Sequence, residues 1–151
     1  ARGEPRSSGK PTQPMKATTM QTYIAATQSN KFRVVDQRLF EFWCGTRGLA
    51  FTIHGEGSEA RYSLTADRPH MTGWPTFLKA AGGDLDIAAE LAPLIHPHDI
   101  AVLFESSGYP GTYAGGFAKA VHPDGRTVTL ALTDIYAKAA TVFRQAAAPQ
   151  V

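Results

Sequence analysis

The chain of 151 residues has one cysteine, few charged side chains and no long apolar run. A single cysteine, Cys44, excludes an internal disulfide, which fits a reducing compartment. No apolar stretch approaches the roughly 18 residues of a membrane helix, and the N-terminal region lacks the apolar centre of a signal peptide. We therefore expect a cytoplasmic protein that does not contact membranes.

Charge is scarce and unevenly placed along the chain. Charged residues make up 19% and hydrophobic residues 43%, a balance typical of a globular protein. The net charge is +2, of which residues 1–19 contribute +3, leaving about −1 for the remainder. A nearly neutral body weakens the case for nucleic-acid binding by the whole chain.

Composition divides the chain into a tail and one domain. Residues 1–19 are rich in Pro, Gly, Ser and Thr and predict a flexible basic tail. This tail is either an arm for nucleic acid or a solvated leader, and its composition favours the leader. Residues 20–148 have the length and apolar content of a single α+β domain.

The first half of the domain predicts a strand, a helix and a hairpin. Residues 20–26 predict the strand, and Asp36 is placed to cap a helix that ends at Gly45 or Gly48. Residues 49–55 and 60–66 predict two strands around a tight turn. Val35 and Phe40 are spaced for a hydrophobic staple, and the expected buried face of the helix consists of Leu39, Phe40 and Trp43.

The second half predicts a helix, three strands and a final helix. Residues 84–95 have helical periodicity, and Pro93 is expected to kink this helix or end it early. Residues 99–106, 113–121 and 126–132 predict strands. The last helix begins at Thr133 or Asp134, and its expected buried stripe consists of Ile135, Ala139, Val142 and Phe143.

Because short turns between consecutive strands demand antiparallel pairing, this order predicts an α+β fold. The sheet is expected to have five to six antiparallel strands, with three helices packed mainly on one of its faces. Gly115 and Gly116 lie inside a predicted strand, which indicates a bulge or a close approach of two backbones.

The sequence offers no strong catalytic pattern. Cys44 lies beside Trp43 on an apolar helix face and is predicted to be a small core residue rather than a nucleophile. The histidines do not follow a metal-binding motif, and the glycines fit turns rather than phosphate loops. We assign no catalytic residue, no metal and no cofactor. The possible metal ligands are His54, His70, His96, His98 and His122.

The loop "TADRPHMTGWP", residues 65–75, is the best candidate for recognition. Loops that carry Trp, Arg and His are places where binding energy concentrates. The alternative is that Trp74 fills the edge of the core while the rest of the loop is solvated. The candidate partner-binding residues are Asp67, Arg68, His70 and Trp74, with Arg33, Tyr109 and Tyr113 as secondary contacts.

Four stretches resemble a family of small uncharacterised accessory proteins carried on plasmids, integrative elements and phages. They are "SNKFRVVDQRLFEFW", "GWP", "AVLFE" and "YAGGFAKAVHPDGRTVTLALTDIY", and the resemblance covers about residues 22–138. Lys31 and His122 depart from the family pattern, where an aromatic residue and an asparagine are expected. The resemblance implies a mobile-element protein that inhibits host defence, anti-CRISPR or anti-restriction, by masking a larger protein or nucleoprotein complex.

Two other functions remain open at this point. One is a DNA-binding regulator or plasmid-maintenance protein, with nucleic acid held by the basic tail. The other is a small metal-dependent hydrolase that uses the histidines.

Overall fold

The computed structural model describes residues 24–67, 73–78, 83–108 and 115–147. The predicted tail, residues 1–19, lies outside them. None of the helices in the described ranges is long and apolar enough to cross a membrane. The elements in chain order are β1 (Ile24–Ser29), α1 (Gln37–Thr46), β2 (Leu49–His54), β3 (Arg61–Ala66), β4 (Phe77–Leu78), β5 (Gly83–Asp84), α2 (Ile87–Leu91), β6 (Ala101–Gly108), β7 (Gly115–Val121), β8 (Thr127–Ala131) and α3 (Asp134–Phe143).

The strands of the described ranges form one larger sheet and two small hairpins. The larger sheet has the order β1-β6-β7-β8, and every neighbouring pair is antiparallel. Strands β2 and β3 form a separate antiparallel pair, as do the short strands β4 and β5. The predicted α+β fold with an antiparallel sheet and three helices is confirmed.

Strand β1 runs to Ser29, three residues beyond its predicted end. A polar break is expected at Ser29 and Asn30, but Ser29 belongs to the strand, and the hydroxyl groups of Thr27 and Ser29 have a structural use. The backbone N–H of Ala66 donates to Thr27 Oγ1 (2.8 Å), and that of Leu64 donates to Ser29 Oγ (2.7 Å). Since β3 lies against β1 without pairing to it, these side chains replace the missing backbone partners.

Asn30 continues the pairing between β1 and β6 with its side chain. Its backbone N–H donates to the Val102 carbonyl (3.1 Å), and its Oδ1 accepts from the Val102 N–H (2.8 Å). Its Nδ2 donates to the Ile100 carbonyl (3.0 Å). The amide thus satisfies the β6 backbone where the β1 strand has already ended.

Helix α1 begins and ends where the sequence predicts, but its buried face is rotated. The Leu39 N–H donates to Asp36 Oδ1 (3.1 Å), which confirms the cap, and Gly48 follows the helix with φ +69°. The proposed staple and the burial of Leu39 are wrong, because Val35 and Leu39 are exposed. The face that enters the core consists of Phe40, Trp43 and Cys44.

The core lies between α1, α2, the β2–β3 hairpin and one face of the larger sheet. Its centre is aromatic: Phe40 contacts Phe32 and Tyr62, with ring centroids 5.9 and 4.8 Å apart. Helix α2 ends at Leu91 and a 3₁₀ turn that contains Pro93 follows it, as predicted. Ile95 beyond the turn is fully buried, so most of the predicted apolar face of this segment packs into the core.

The predicted burial of the α3 stripe is wrong. Ile135, Val142 and Phe143 are all more than half exposed, and no residue of the helix is buried. The helix starts after only two residues beyond β8, which is the last strand at one side of the sheet. In the described part of the chain, no other helix or strand packs extensively against α3.

Removal of the Ser29 hydroxyl tests the contact between the sheet and the hairpin. We expect Ser29→Ala to lower the free energy of unfolding by about 1–3 kcal/mol, because it leaves the buried Leu64 N–H without an acceptor. Thr52→Ala, at an exposed position of β2, is the matched control and should change stability by less than about 0.5 kcal/mol. Urea denaturation measures both, and equal stabilities would contradict this role of Ser29.

Candidate interaction surface

The structure describes three of the seven predicted partner-binding residues, Arg33, Asp67 and Trp74. The others, Arg68, His70, Tyr109 and Tyr113, lie outside the described residues. Asp67 is exposed, and its backbone N–H donates to the Gly48 carbonyl at the end of α1 (2.9 Å). None of the described hydrogen bonds or ion pairs joins Arg33 to Asp67 or Trp74.

Trp74 fastens its loop to the larger sheet. It is only 7% exposed and belongs to the core cluster. Its indole N–H donates to the Phe104 carbonyl and its backbone N–H to Glu105 Oε1, each at 3.0 Å. The alternative interpretation of this residue, a plug at the edge of the core, describes these contacts better than an exposed binding residue does.

Gly73 allows the Trp74 backbone to reach the sheet. It has φ +113°, a conformation that favours glycine, and a Cβ atom there would overlap the Glu105 carboxylate. That carboxylate is the acceptor for the Trp74 backbone N–H. The Gly73-Trp74 pair is thus explained by the attachment of this loop to strand β6.

Arg33 forms an ion pair that holds two loops together. Its Nη2 lies 2.8 Å from Asp99 Oδ1, and its Nε and backbone N–H both donate to Oδ2, at 3.1 and 2.7 Å. Arg61 also contacts Asp99, at 3.2 Å. These bonds, with the Arg33 side-chain bond foremost, hold the pKa of Asp99 at about 2. The Arg33 guanidinium is therefore engaged within the fold.

A second partly buried ion pair joins α1 to α2. Glu90 Oε1 accepts from Arg47 Nε (2.7 Å) and from the indole N–H of Trp43 (2.9 Å). These two hydrogen bonds, that of Arg47 first, lower the pKa of Glu90. Trp43 thereby buries its ring while its N–H keeps a charged acceptor.

Cys44 is a core residue, as predicted. It is fully buried, and burial together with the Glu41 charge raises the pKa of its thiol to about 12. The reactive thiolate is consequently rare at neutral pH. Next to it, the Tyr62 hydroxyl donates to Glu41 Oε2 at 2.6 Å, which satisfies a buried phenol.

The described histidines contact separate neighbours. His54 Nε2 lies 2.9 Å from Ser63 Oγ, whereas His122 contacts the backbone N–H and the carboxylate of Asp124. The rings of His96 and His98 lie 5.5 Å apart in a turn. Across the described ranges, no group of three or more His, Cys, Asp or Glu residues is arranged to hold a metal ion.

The larger sheet has two faces, and only one is covered by the other described residues. Along β6, Ala101 and Leu103 are buried, whereas Phe104 on the opposite side is exposed. The registers with β1, β7 and β8 extend this alternation across the sheet. We call the uncovered side the outer face; its residues are Ala26, Gln28, Val102, Phe104, Ser106, Gly116, Ala118, Ala120, Val128 and Leu130.

The outer face is apolar and accessible. Val128 and Leu130 are 71% and 63% exposed, and Leu132 just after β8 is also exposed. A groove of about 410 Å³ runs over this face between Ala26, Phe104 and Leu130. None of the ten residues of the outer face carries a charge.

Close contact between β6 and β7 shapes the floor of the groove. Gly116 has φ +154°, and a Cβ atom there would collide with the Glu105 carbonyl oxygen of the neighbouring strand. This confirms the predicted close approach of two backbones.

An apolar run in β6 is the sequence signal for the outer face, and the alternation of apolar and polar residues does not reveal it. Residues 101–104 are Ala-Val-Leu-Phe, without a polar alternate, so both sides of β6 are apolar. Such a run is typical of a strand covered on both faces. Here the described elements cover only the inner face, and Phe104 on the other side of β6 is exposed.

No protein-family model, no curated protein and no solved structure matches this chain. The resemblance to accessory proteins of mobile elements therefore stays a prediction.

Asp99 gives the fold a pH dependence with a definite sign. Since its pKa in the folded state is depressed to about 2 from 3.8, the ion pair stabilises the fold at pH 5 and above and is lost as the pH falls toward 2. We expect Asp99→Asn to lower the free energy of unfolding by roughly 2 kcal/mol at pH 6 and to have much less effect at pH 2. Denaturant titration at both pH values measures the difference. Glu56→Gln, at an exposed turn carboxylate, is the control.

Trp74 should behave as a stabilising anchor. Trp74→Ala is expected to lower the free energy of unfolding by about 3–5 kcal/mol through the cavity it leaves. Trp74→Phe keeps a ring but removes the bond to the Phe104 carbonyl, so its cost should be smaller. Phe42→Ala, at an exposed ring of α1, is the control. A Trp74→Ala protein as stable as wild type would show that the indole is dispensable.

Proposed function

We propose that this chain is a non-enzymatic binding protein that acts in the cytoplasm by covering a surface of a larger partner. The observation that carries the proposal is the uncovered apolar outer face. Monomeric proteins rarely expose contiguous apolar patches larger than a few hundred Å², and larger patches mark sites of interaction. The groove supplies a concave centre for such a site.

The chemistry of the outer face favours a protein as the partner. Phe104 and Leu130 provide an apolar centre, and Gln28 and Ser106 provide hydrogen-bonding groups toward β1. This arrangement of apolar centre and polar rim is typical of protein interfaces. A phosphate backbone would require cationic side chains, and the outer face carries none.

The partly buried ion pairs support binding over catalysis. Arg33 with Asp99 and Arg47 with Glu90 each connect two elements of the fold. Their charges are neutralised by one another and by backbone or indole donors. Side chains used in this way are poorly placed to take part in a reaction.

The partner that we propose is a nuclease complex of a host defence system, of the restriction or CRISPR kind. This identity comes from the resemblance to proteins of plasmids and phages. A protein that masks such a complex needs a contact surface and no active site, and the outer face meets that requirement.

A plaque assay tests this proposal. Cells that carry one defined restriction or CRISPR system are infected with a targeted phage, with and without expression of the chain. We expect expression to raise the plaquing efficiency of the targeted phage, because a masked nuclease complex no longer cleaves the phage DNA. Phe104→Asp should abolish the rescue, because it places a charge in the apolar groove.

Phe42→Asp is the matched control, since Phe42 is an exposed phenylalanine on α1, away from the outer face. It should retain the rescue at an equal expression level. Rescue that survives Phe104→Asp would reject the outer face as the binding surface. Failure of wild type against a panel of such systems would reject defence nucleases as the partner.

A further inference from the structure

Strand β8 forms an edge of the larger sheet. In the described part of the chain it pairs with β7 and with no other strand. Its sequence, Thr-Val-Thr-Leu-Ala, has high strand propensity and contains neither a charge nor a proline. Natural edge strands usually carry such residues to prevent pairing with another chain, so β8 is an unprotected edge.

The hydrogen bonds at both ends of β8 show which backbone groups face outward. The Leu132 N–H donates to the Gly116 carbonyl (3.0 Å), and the His122 N–H donates to the Arg126 carbonyl (2.9 Å). In an antiparallel ladder, residues alternate between facing the partner strand and facing away. The even-numbered residues of β8 therefore bond to β7.

It follows that the N–H and C=O groups of Thr127 and Thr129 point away from the sheet. Ala131 has the same parity, and its N–H is capped by Asp134 Oδ2 at 2.7 Å. No described residue bonds to the outward groups of Thr127 and Thr129. The backbone groups of these two residues therefore have no hydrogen-bond partner among the described residues, and they lie shortly before the exposed helix α3.

The helix that follows the edge adds an exposed apolar surface. Phe143 is 73% exposed, and Ile135 and Val142 are also exposed, although the three lie at helical spacing. A stripe of this kind normally packs against an apolar surface. Both the edge and the stripe therefore lack a partner within the described residues.

We propose that a second copy of this chain binds here, with β8 pairing antiparallel to β8 of the partner and α3 covering the adjacent apolar side chains. This dimer goes beyond the proposed function and does not depend on it. A two-fold axis beside Thr129 would set this residue opposite its own equivalent, as an isologous interface requires. The Thr129 N–H and C=O groups of both copies would then bond to each other.

The register of this pairing is favourable for side chains on both sides of Thr129. Val128 of one copy lies opposite Leu130 of the other, so two exposed apolar pairs become cross-strand contacts.

The exposed area suits a dimer. A large apolar side chain at this degree of exposure presents roughly 100 Å² for burial. The six such residues at the edge and the helix present on the order of 600 Å², before backbone atoms are counted, close to the roughly 800 Å² that a standard interface buries on each partner. They are Val128, Leu130, Leu132, Ile135, Val142 and Phe143.

Sedimentation velocity of the full chain between 1 and 100 µM, about the range of ordinary protein contacts, tests the proposal first. We expect wild type to sediment with twice the mass of one chain. Phe143→Asp should raise the dissociation constant by about a hundredfold, because the substitution occurs twice in each dimer. Phe42→Asp, equally exposed at 70% but on α1, should leave the dimer unchanged.

Cross-linking tests the register. Thr129→Cys places two thiols opposite each other at the two-fold axis, within reach of a disulfide. A mild oxidant should convert most of this variant to a covalent dimer. Thr52→Cys, at an exposed position of β2, should give little, and the native Cys44 does not compete because it is buried.

A monomeric wild type at 100 µM, a concentration at which even weak dimers form, overturns the proposal. Equal cross-linking of both cysteine variants overturns the β8 register. A Phe143→Asp protein that is less stable than wild type at a concentration where both are monomeric would show that α3 packs on its own chain, and it would also overturn the proposal. Failure of the plaque assay with an intact dimer rejects the proposed function alone.

Discussion

The architecture depends on the contact between β1 and β3, where the larger sheet meets the β2–β3 hairpin. The two strands are not paired, so the β3 backbone needs acceptors from elsewhere. Thr27 and Ser29 supply them, and an isolated bridge between Phe32 and Tyr62 continues the contact into the aromatic core. Once the hairpin is fixed there, α1 and its aromatic side chains have a surface to pack against. As a result, the hairpin and the first two helices pack against the inner face of the larger sheet.

That one-sided cover explains the unusual surface of the molecule. Strand β6 has apolar side chains on both sides, but the hairpin, the Trp74 loop and the first two helices all contribute to the inner core. The outer face is then left with Phe104 and its neighbours. An apolar sheet face exposed to water costs solvation free energy, which burial against another protein would recover. This asymmetry is the physical basis of the proposed binding function.

Local patterns predicted the elements well because their causes are local. The Asp36 cap, the early end of α2 near Pro93 and the narrow approach at Gly116 all follow from the chemistry of a few neighbouring residues. The pattern also predicts helix α3 and its apolar stripe correctly, but the predicted burial of that stripe is wrong. Periodicity shows that a helix has an apolar side, but it does not show whether the same chain supplies the surface that receives it. The outer face is not predicted from the sequence for the same reason: an apolar strand does not show which of its sides is left uncovered.

The polar residues also lie where their sequence pattern does not predict them. Arg33 and Trp74 had the composition of a recognition surface, but each has its hydrogen bonds within the fold. The outer face is instead built mainly from Val, Leu, Phe and Ala, residue types that a sequence pattern usually assigns to a core. Because the proposed interface consists of exposed apolar side chains rather than polar groups, it can be recognised only after the topology shows which side of each strand is left uncovered.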